Sequence, residues 1–483
     1  MSDLSSRTPE MLTFTTSDGV DIVMDVWRIG ATPQPVVLCM TPYLRCTFAA
    51  FGDTPVTALN EMGITVIVAD VRGTGESGGV FTGPMGEREI LDGVELIEWL
   101  SANHTPDGKV ALVGASYCGA NQLMMAARRP KGLVAIAPAV APVDLFRDWT
   151  HWGGMPTHVG WGAVNFLTRK QPAESERTLI DFYYNTLLTT HRDAPLFQER
   201  SPLYVLDRIE VPTLVVGGLF DFFSGACYRT FEALRAPRRL SFGPWGHSYS
   251  PDPTELLDWF GYWLLGRGED PTQGDNVHVW RLGANRWSRR QGPGSTTGLA
   301  LPLGPDPIDL PVVGTSAALP RQTLPPPVPG PTDVLHGWGE ALHLEIEVPA
   351  DLDIEGLPIL DLTFDSPDCA DVDLFVRLSL LGDPIQQLTE GRLRMSHRKV
   401  DEARSRRDPA GLPLSVRLRH EGRMPLSTTA SNRALVQMQF ASLSIAAGSR
   451  LRVGLSAVRS DDRQKRTRLV LGSSSRLILP VQG

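Results

Sequence analysis

Gly114-Ala115-Ser116-Tyr117-Cys118-Gly119 is the segment of this 483-residue chain whose residue types and spacing point most directly to chemistry. It follows a short β-branched run, Val110 to Gly114, and precedes a helix-compatible stretch, ANQLMMAARR. A strand-to-helix turn of this kind forces its central residue into strained backbone angles and lifts the side-chain oxygen above the sheet. Glycines flank it because side chains there would strike the neighbouring strand and helix. A serine hydroxyl is a weak nucleophile at neutral pH, so it needs a histidine base whose orientation and charge are held by a carboxylate. The chemistry implied is acyl transfer through Ser116.

The partners follow from chain order, Ser then Asp then His. The run Thr213 to Gly218 leads directly into Leu219-Phe220-Asp221, which makes Asp221 the candidate acid. Arg239 to Phe242 leads into Gly243-Pro244-Trp245-Gly246-His247-Ser248, which makes His247 the candidate base. His151 and His158, in the Trp-rich insertion, lie on the wrong side of Asp221 in chain order for the base; they read as surface or core histidines, with substrate contact as the alternative. Cys118 is a rival nucleophile in type only, because residue 116 alone occupies the tip of the turn. The oxyanion needs aimed donors. The backbone N–H of Tyr117 is one; the second belongs on the loop after Val36 to Met40, where Thr41-Pro42-Tyr43 lacks the HGGG pattern. At this level the Tyr43 hydroxyl is either that donor or a packing group.

The elements that must position these groups are legible as five apolar runs, Val36 to Met40, Thr65 to Asp70, Val110 to Gly114, Leu133 to Ala139 and Thr213 to Gly218. Most lack in/out alternation, as expected of parallel strands buried on both faces. Between the second and third, Glu87 to Leu100 carries Ile90, Val94, Leu96, Ile97 and Leu100 at helical spacing, so a crossover helix is expected. From about Asp144 to Glu199 no strand is evident; Trp149, Trp152 and Trp161 fall among glycines, and an insertion of helices and loops is expected near the site. Residues 302–331 hold ten of the 39 prolines, which predicts an extended connection rather than helix or central strand. Beyond it, runs such as His343 to Val348, Leu360 to Phe364, Val372 to Leu380, Leu435 to Phe440, Arg450 to Leu455 and Arg468 to Gly472 read as antiparallel strands of a β-sandwich.

Composition sets the outer limits. Hydrophobic residues at 42% and charged residues at 21% are ordinary for a globular protein. Forty-six basic against 54 acidic residues give a net charge of −8, no footprint for phosphate backbones or anionic lipid. No nucleic-acid or membrane partner is expected. No signal peptide or membrane span is evident, and five scattered cysteines without CxxC spacing suit neither a disulfide framework nor a metal site. A cytoplasmic protein without metal or cofactor is the expectation.

The constellation resembles the cocaine esterase and X-prolyl dipeptidyl peptidase family of serine hydrolases. The residues that carry the resemblance are TPY (41–43), ADVRGTGESGG (69–79), DGKVALVGASYCG (107–119), GGLFDFF (217–223), GPWGHS (243–248), LDWFGYWLLGRGE (257–269) and HVWRLGANRW (278–287), with a weaker block from ADVDLFVRLSLLG to LTEGRLRMSHRK. The resemblance implies an α/β-hydrolase core in two parts, residues 1–143 and 200–270, a helical cap inserted at 144–199, and a jelly-roll β-sandwich over 271–483 that includes the Pro-rich connection 302–331. It implies Ser116, Asp221 and His247 as triad and favours Tyr43, with the Tyr117 amide, as oxyanion donor. Arg72 to Gly79 is expected to be a structural turn. The cap looks short for the family, and the Pro-rich tract and the basic stretch Arg404 to Arg407 depart from it, which bears on specificity rather than chemistry.

The leading expectation is therefore a serine hydrolase acting on an ester or amide of a bulky small molecule, with Trp149, Trp152, Trp161, Phe222 and Trp245 as candidate pocket walls and a homodimer as a compatible assembly. An X-prolyl or amino-acyl peptidase or amino-ester hydrolase would need carboxylates to hold a substrate amine, for which Asp144, Asp148, Glu174 and Glu176 are the candidates. Acyl transfer or cyclisation would use the same triad. A non-catalytic binding scaffold is the alternative of another class.

Overall fold

The computed structural model describes residues 9–45, 55–156, 173–182, 194–247, 252–292, 294–313, 342–419, 423–460 and 467–482. Its first layer is a ten-stranded sheet built from β1 (Glu10–Thr15), β2 (Asp21–Trp27), β3 (Val36–Thr41), β4 (Thr65–Asp70), β5 (Val110–Ala115), β6 (Leu133–Ala139), β7 (Thr213–Gly218), β8 (Arg238–Gly243), β9 (Val277–Arg281) and β10 (Arg286–Arg290), in the order β1-β2-β4-β3-β5-β6-β7-β8-β9-β10. From β4 through β9 every neighbouring pair is parallel.

The five apolar runs lie at the centre of this sheet because both of its faces are covered. Val36, Leu38 and Met40 pack on one side with the helices α2 (Glu87–Asn103) and α3 (Tyr117–Ala126), and Val37 and Cys39 pack on the other with α1 (Val56–Glu61) and α7 (Pro253–Leu265). Alternate residues of one strand thus feed two cores, and a run with no polar position is the result. In α2 the residues Ile90, Leu96, Ile97 and Leu100 are the buried stripe.

Between β6 and β7 the chain makes a six-residue π-helical turn (Leu145–Thr150), a two-residue hairpin pairing His151–Trp152 with Met155–Pro156, and the helices α4 (Ala173–Asp181) and α5 (Pro195–Glu199). The insertion is mainly helical where it is described, and the hairpin is a strand element its sequence did not announce. Helix α6 (Ser224–Ala233) follows β7 and completes the first layer's cover.

The carboxyl-terminal layer is a β jelly-roll-like domain of twelve strands: β11 (Thr296–Pro302), β12 (Ile308–Val313), β13 (Leu342–Glu347), β14 (Leu352–Gly356), β15 (Ile359–Asp365), β16 (Val372–Leu380), β17 (Gln386–Arg394), β18 (Asn432–Gln437), β19 (Ala441–Ile445), β20 (Arg450–Arg459), β21 (Thr467–Leu471) and β22 (Arg476–Gln482). Strand β20 pairs with β16 along one edge, and along the other with β13 over Arg450 to Leu455 and then with β12 at Ala457 and Val458. Long strands that change partner in this way fold one hydrogen-bonded network back over itself.

Two expectations need correction. Strands β9 and β10 belong to the first sheet, so residues 277–290 extend that layer past the expected boundary at 271; β9 joins because Leu240, Ser241 and Phe242 of β8 still offer an unpaired edge. Within the Pro-rich tract, Ile308–Val313 is a strand between β20 and β21 despite Pro311. Residues 314–331 lie outside the described residues.

Candidate active site

Ser116 has φ 57° and ψ −118° at the junction of β5 and α3. Its N–H donates to the Ala139 carbonyl of β6 at 2.9 Å, and its carbonyl accepts from Gly119 and Ala120, so strand and helix pin the turn from both sides. The glycines are required by contact. A Cβ on Gly114 would lie 2.6 Å from Cys118 Cβ, and one on Gly119 would lie 2.8 Å from Ala141 Cβ and 3.0 Å from the Ala139 oxygen. Cys118 itself is buried beneath the turn.

Asp221 and His247 stand at the ends of the adjacent strands β7 and β8, and the loops that carry them are bonded together: Leu219 N–H donates to Gly243 at 2.9 Å and Phe220 N–H to Trp245 at 3.1 Å. Asp221 is buried, and its Oδ1 accepts from the Phe223 N–H at 3.0 Å and lies 3.2 Å from His247 Nδ1. His247 Nε2 lies 3.1 Å from Ser116 Oγ. The imidazole is held flat by Phe222, stacked at 4.3 Å, and edge-on by Phe223 at 5.6 Å. Carboxylate, imidazole and hydroxyl therefore form one connected line, in which a proton taken from Ser116 at Nε2 leaves a cation facing a buried anion.

Tyr117 begins α3, where the first N–H groups have no intrahelical acceptor and carry the positive end of the helix dipole. Its buried hydroxyl donates to Glu89 Oε2 at 2.7 Å and accepts from the Met85 N–H at 3.2 Å. Tyr43 lies on the loop directly after β3, its N–H bonded to Thr41 Oγ1 at 3.0 Å and its ring edge-on to that of Tyr117 at 6.1 Å.

The aromatic candidates divide. Trp152 and Phe222 are in contact, 5.6 Å between rings, and both line a cavity beside Asp221. Trp149 is buried edge-on to the Tyr117 ring at 5.8 Å and supports the elbow from behind. Trp245 is placed elsewhere, packed on the backbone of Gly218 and Gly243 and near Trp287; a Cβ on Gly243 would lie 1.9 Å from its ring, so bare strand ends are what let it in. Trp161 and His158 lie outside the described residues. His151 is a buried core histidine, stacked on Phe146 at 4.5 Å.

The carboxylates considered for holding an amine are engaged or solvated. Asp144 caps the π-helical turn, accepting from the N–H groups of Phe146 and Arg147, and pairs with Arg147 and with Arg417. Asp148 accepts from the Val143 and Asp144 N–H groups and pairs with Arg229. The arginines hold the Asp144 carboxyl well below the usual range despite its burial. Glu174 is exposed and Glu176 half-buried on α4. Arg72 is locked by Asp92 and Asp18, and Gly73 N–H closes onto Gly78 at 2.7 Å, which makes the 72–79 segment a braced turn. Residues missed from sequence are Arg392, which enters the cavity wall from the other domain, and Glu89 behind the elbow. Neither carries a local signal, because both gain their surroundings only on folding.

Among the described residues no group of three or more His, Cys, Asp or Glu is placed to hold a metal ion, and no helix is long and apolar enough to cross a membrane.

Residues 18–249 match the family described as X-Pro dipeptidyl-peptidase (S15 family). Cocaine esterase of Rhodococcus sp. (strain MB1 Bresler) is 28% identical over 274 residues, 48% of this chain and 47% of that protein, so the matched stretch spans about half the length of that relative. A CocE/NonD family hydrolase from Staphylococcus aureus shares the fold over 98% of this chain and 93% of its own, with a TM-score of 0.80 at 16% identity. An alpha-amino acid ester hydrolase shares it over 100% and 98%, with a TM-score of 0.75 at 17% identity. These likenesses establish an α/β-hydrolase core joined to a β-rich carboxyl-terminal domain.

Proposed function

From the match of residues 18–249 to the X-Pro dipeptidyl-peptidase (S15) family and the likeness to cocaine esterase, we propose that the chain is a serine hydrolase of that family, cleaving a carboxylic ester or amide of a small molecule. The observation that carries this reading is the unbroken line from Asp221 through His247 to Ser116 at 3.2 and 3.1 Å, ending on a serine with positive φ. Ser116 Oγ attacks the acyl carbon while His247 Nε2 takes its proton. The tetrahedral oxyanion is met by the Tyr117 N–H and the Tyr43 hydroxyl. Collapse expels the alcohol or amine, which takes the proton from His247, and leaves an acyl-Ser116 ester; water, deprotonated by the same imidazole, then releases the acid.

Ester or amide hydrolysis without recognition of a substrate amine is the better-supported form, since Asp144 and Asp148 already answer to arginines. The deciding experiment is labelling with a fluorophosphonate serine-hydrolase probe. Wild type should label, and Ser116→Ala and His247→Ala should not; labelling that persists in Ser116→Ala overturns the assignment.

A further inference from the structure

A cavity of about 160 Å³ lies where core, cap and jelly roll meet, walled by Asp221, Phe222, Trp152, Glu390 and Arg392 together with the cap carboxylates Asp144 and Asp148 and their arginine partners. The jelly roll is fastened here: Arg394 N–H donates to Gly153 at 2.7 Å, and Gly225 N–H to Gln439 Oε1 at 2.8 Å. The cavity is thus part of a built interface.

Its charges are unevenly matched. Arg147 and Arg417 are spent on Asp144, and Arg229 on Asp148. Glu390 accepts from Gln387 Nε2 at 3.4 Å. Arg392 differs. Among the described residues its guanidinium has no hydrogen bond and no ion pair, and lies 4.2 Å above the Trp152 ring. A ring face steadies a cation but accepts none of its five N–H groups. Burial lowers its pKa to about 10, against the pull of Glu390. Arg392 is half-buried, and among the described residues Glu390 is the charge that pulls on it, without a hydrogen bond or ion pair between them, so an arriving carboxylate would find the N–H groups of the fork unoccupied.

The position relates this cation to the site. Trp152, beneath Arg392, tilts against Phe222 at 5.6 Å, and Phe222 stacks on His247 at 4.3 Å, so one aromatic ring touches both the imidazole and the cavity. Resting on the serine-hydrolase reading above, we propose that Arg392 receives a carboxylate of the substrate, so that the preferred esters or amides carry an acid group away from the scissile bond. The planar fork takes both carboxylate oxygens, and the Trp152 ring fixes its plane.

Paired aryl esters of similar acyl length separate this from simple ester hydrolysis. The ratio of kcat/KM for mono-4-nitrophenyl glutarate over 4-nitrophenyl butyrate should fall by about 10- to 100-fold in Arg392→Gln, mainly through KM, and be restored in part in Arg392→Lys, which keeps the charge but not the fork. Free glutarate should bind the wild type in isothermal titration and bind Arg392→Gln more weakly by a similar factor. A ratio or a glutarate affinity that Arg392→Gln leaves unchanged, or no glutarate binding to the wild type, overturns the proposal; Arg392→Lys guards against reading a folding defect as lost recognition. Fluorophosphonate labelling reports separately on Ser116: glutarate binding that depends on Arg392 without labelling would sink the hydrolase and leave the anion site standing.

Discussion

His247 Nε2 stands 3.1 Å from Ser116 Oγ across 131 residues of sequence, and the imidazole's other nitrogen is 3.2 Å from Asp221. With Nδ1 protonated toward Asp221, Nε2 is the free acceptor the reaction needs. Asp221→Asn keeps the shape but offers Nδ1 an amide that permits the wrong tautomer, so kcat for an aryl ester should fall on the order of 10⁴-fold with little change in KM. A loss below tenfold would separate Asp221 from the mechanism.

Gly119 carries the elbow's packing. An added methyl would sit 2.8 Å from Ala141 Cβ and 3.0 Å from the Ala139 oxygen, the same carbonyl that accepts from Ser116 N–H. Gly119→Ala should cost about 1–3 kcal/mol in stability, seen in denaturant unfolding, and slow fluorophosphonate labelling by moving Ser116. Wild-type stability and labelling rate together would show that the turn has slack the contacts deny.

Tyr43→Phe isolates one hydroxyl. The ring stays edge-on to Tyr117, 6.1 Å away, so the melting temperature should barely move. Turnover should drop by on the order of 10²-fold with KM nearly constant, since the donor is needed only when charge reaches the oxygen. Unaltered kcat returns Tyr43 to packing.

What sequence could tell, and what it could not, has a physical pattern. The central strands were readable because burial on both faces leaves uniform apolar runs; Thr65–Asp70, Leu133–Ala139 and Thr213–Gly218 have the bounds expected, and Val36–Thr41 and Val110–Ala115 each run one residue further. The line Ser116, Asp221, His247 was readable because each member follows such a strand. The outer pair β9 and β10 was assigned to the wrong layer, since VHVWR and RWSRR alternate like any antiparallel hairpin and only the edge of β8 decides which sheet takes them. Trp245 looked like a pocket wall by type, yet two glycines paired across neighbouring strands, Gly218 and Gly243, open the space it fills. Arg392 was invisible, since its place over the Trp152 ring is a property of the assembled cavity.

Glu89 gives the clearest pH signature. It is buried beneath the elbow, its Oε2 accepts from the Tyr117 hydroxyl at 2.7 Å, and its Oε1 has no hydrogen-bond partner among the described residues. Burial pushes its pKa up to about 7, from an ordinary value of 4.5. Between those values the folded state keeps a proton that the unfolded chain has released. The folded state then binds more protons than the unfolded one, so stability falls as pH rises through this window and levels off above it. The contribution is fully present below about 4.5 and amounts to roughly 3 kcal/mol lost by neutrality. Glu89→Gln keeps the acceptor for Tyr117 without the ionisation. The difference in unfolding free energy, variant minus wild type, should therefore rise from pH 4.5 to 7 and then stay flat. A difference constant across that range would mean that Glu89 is ionised in the fold throughout, with the nearby Arg200 outweighing burial.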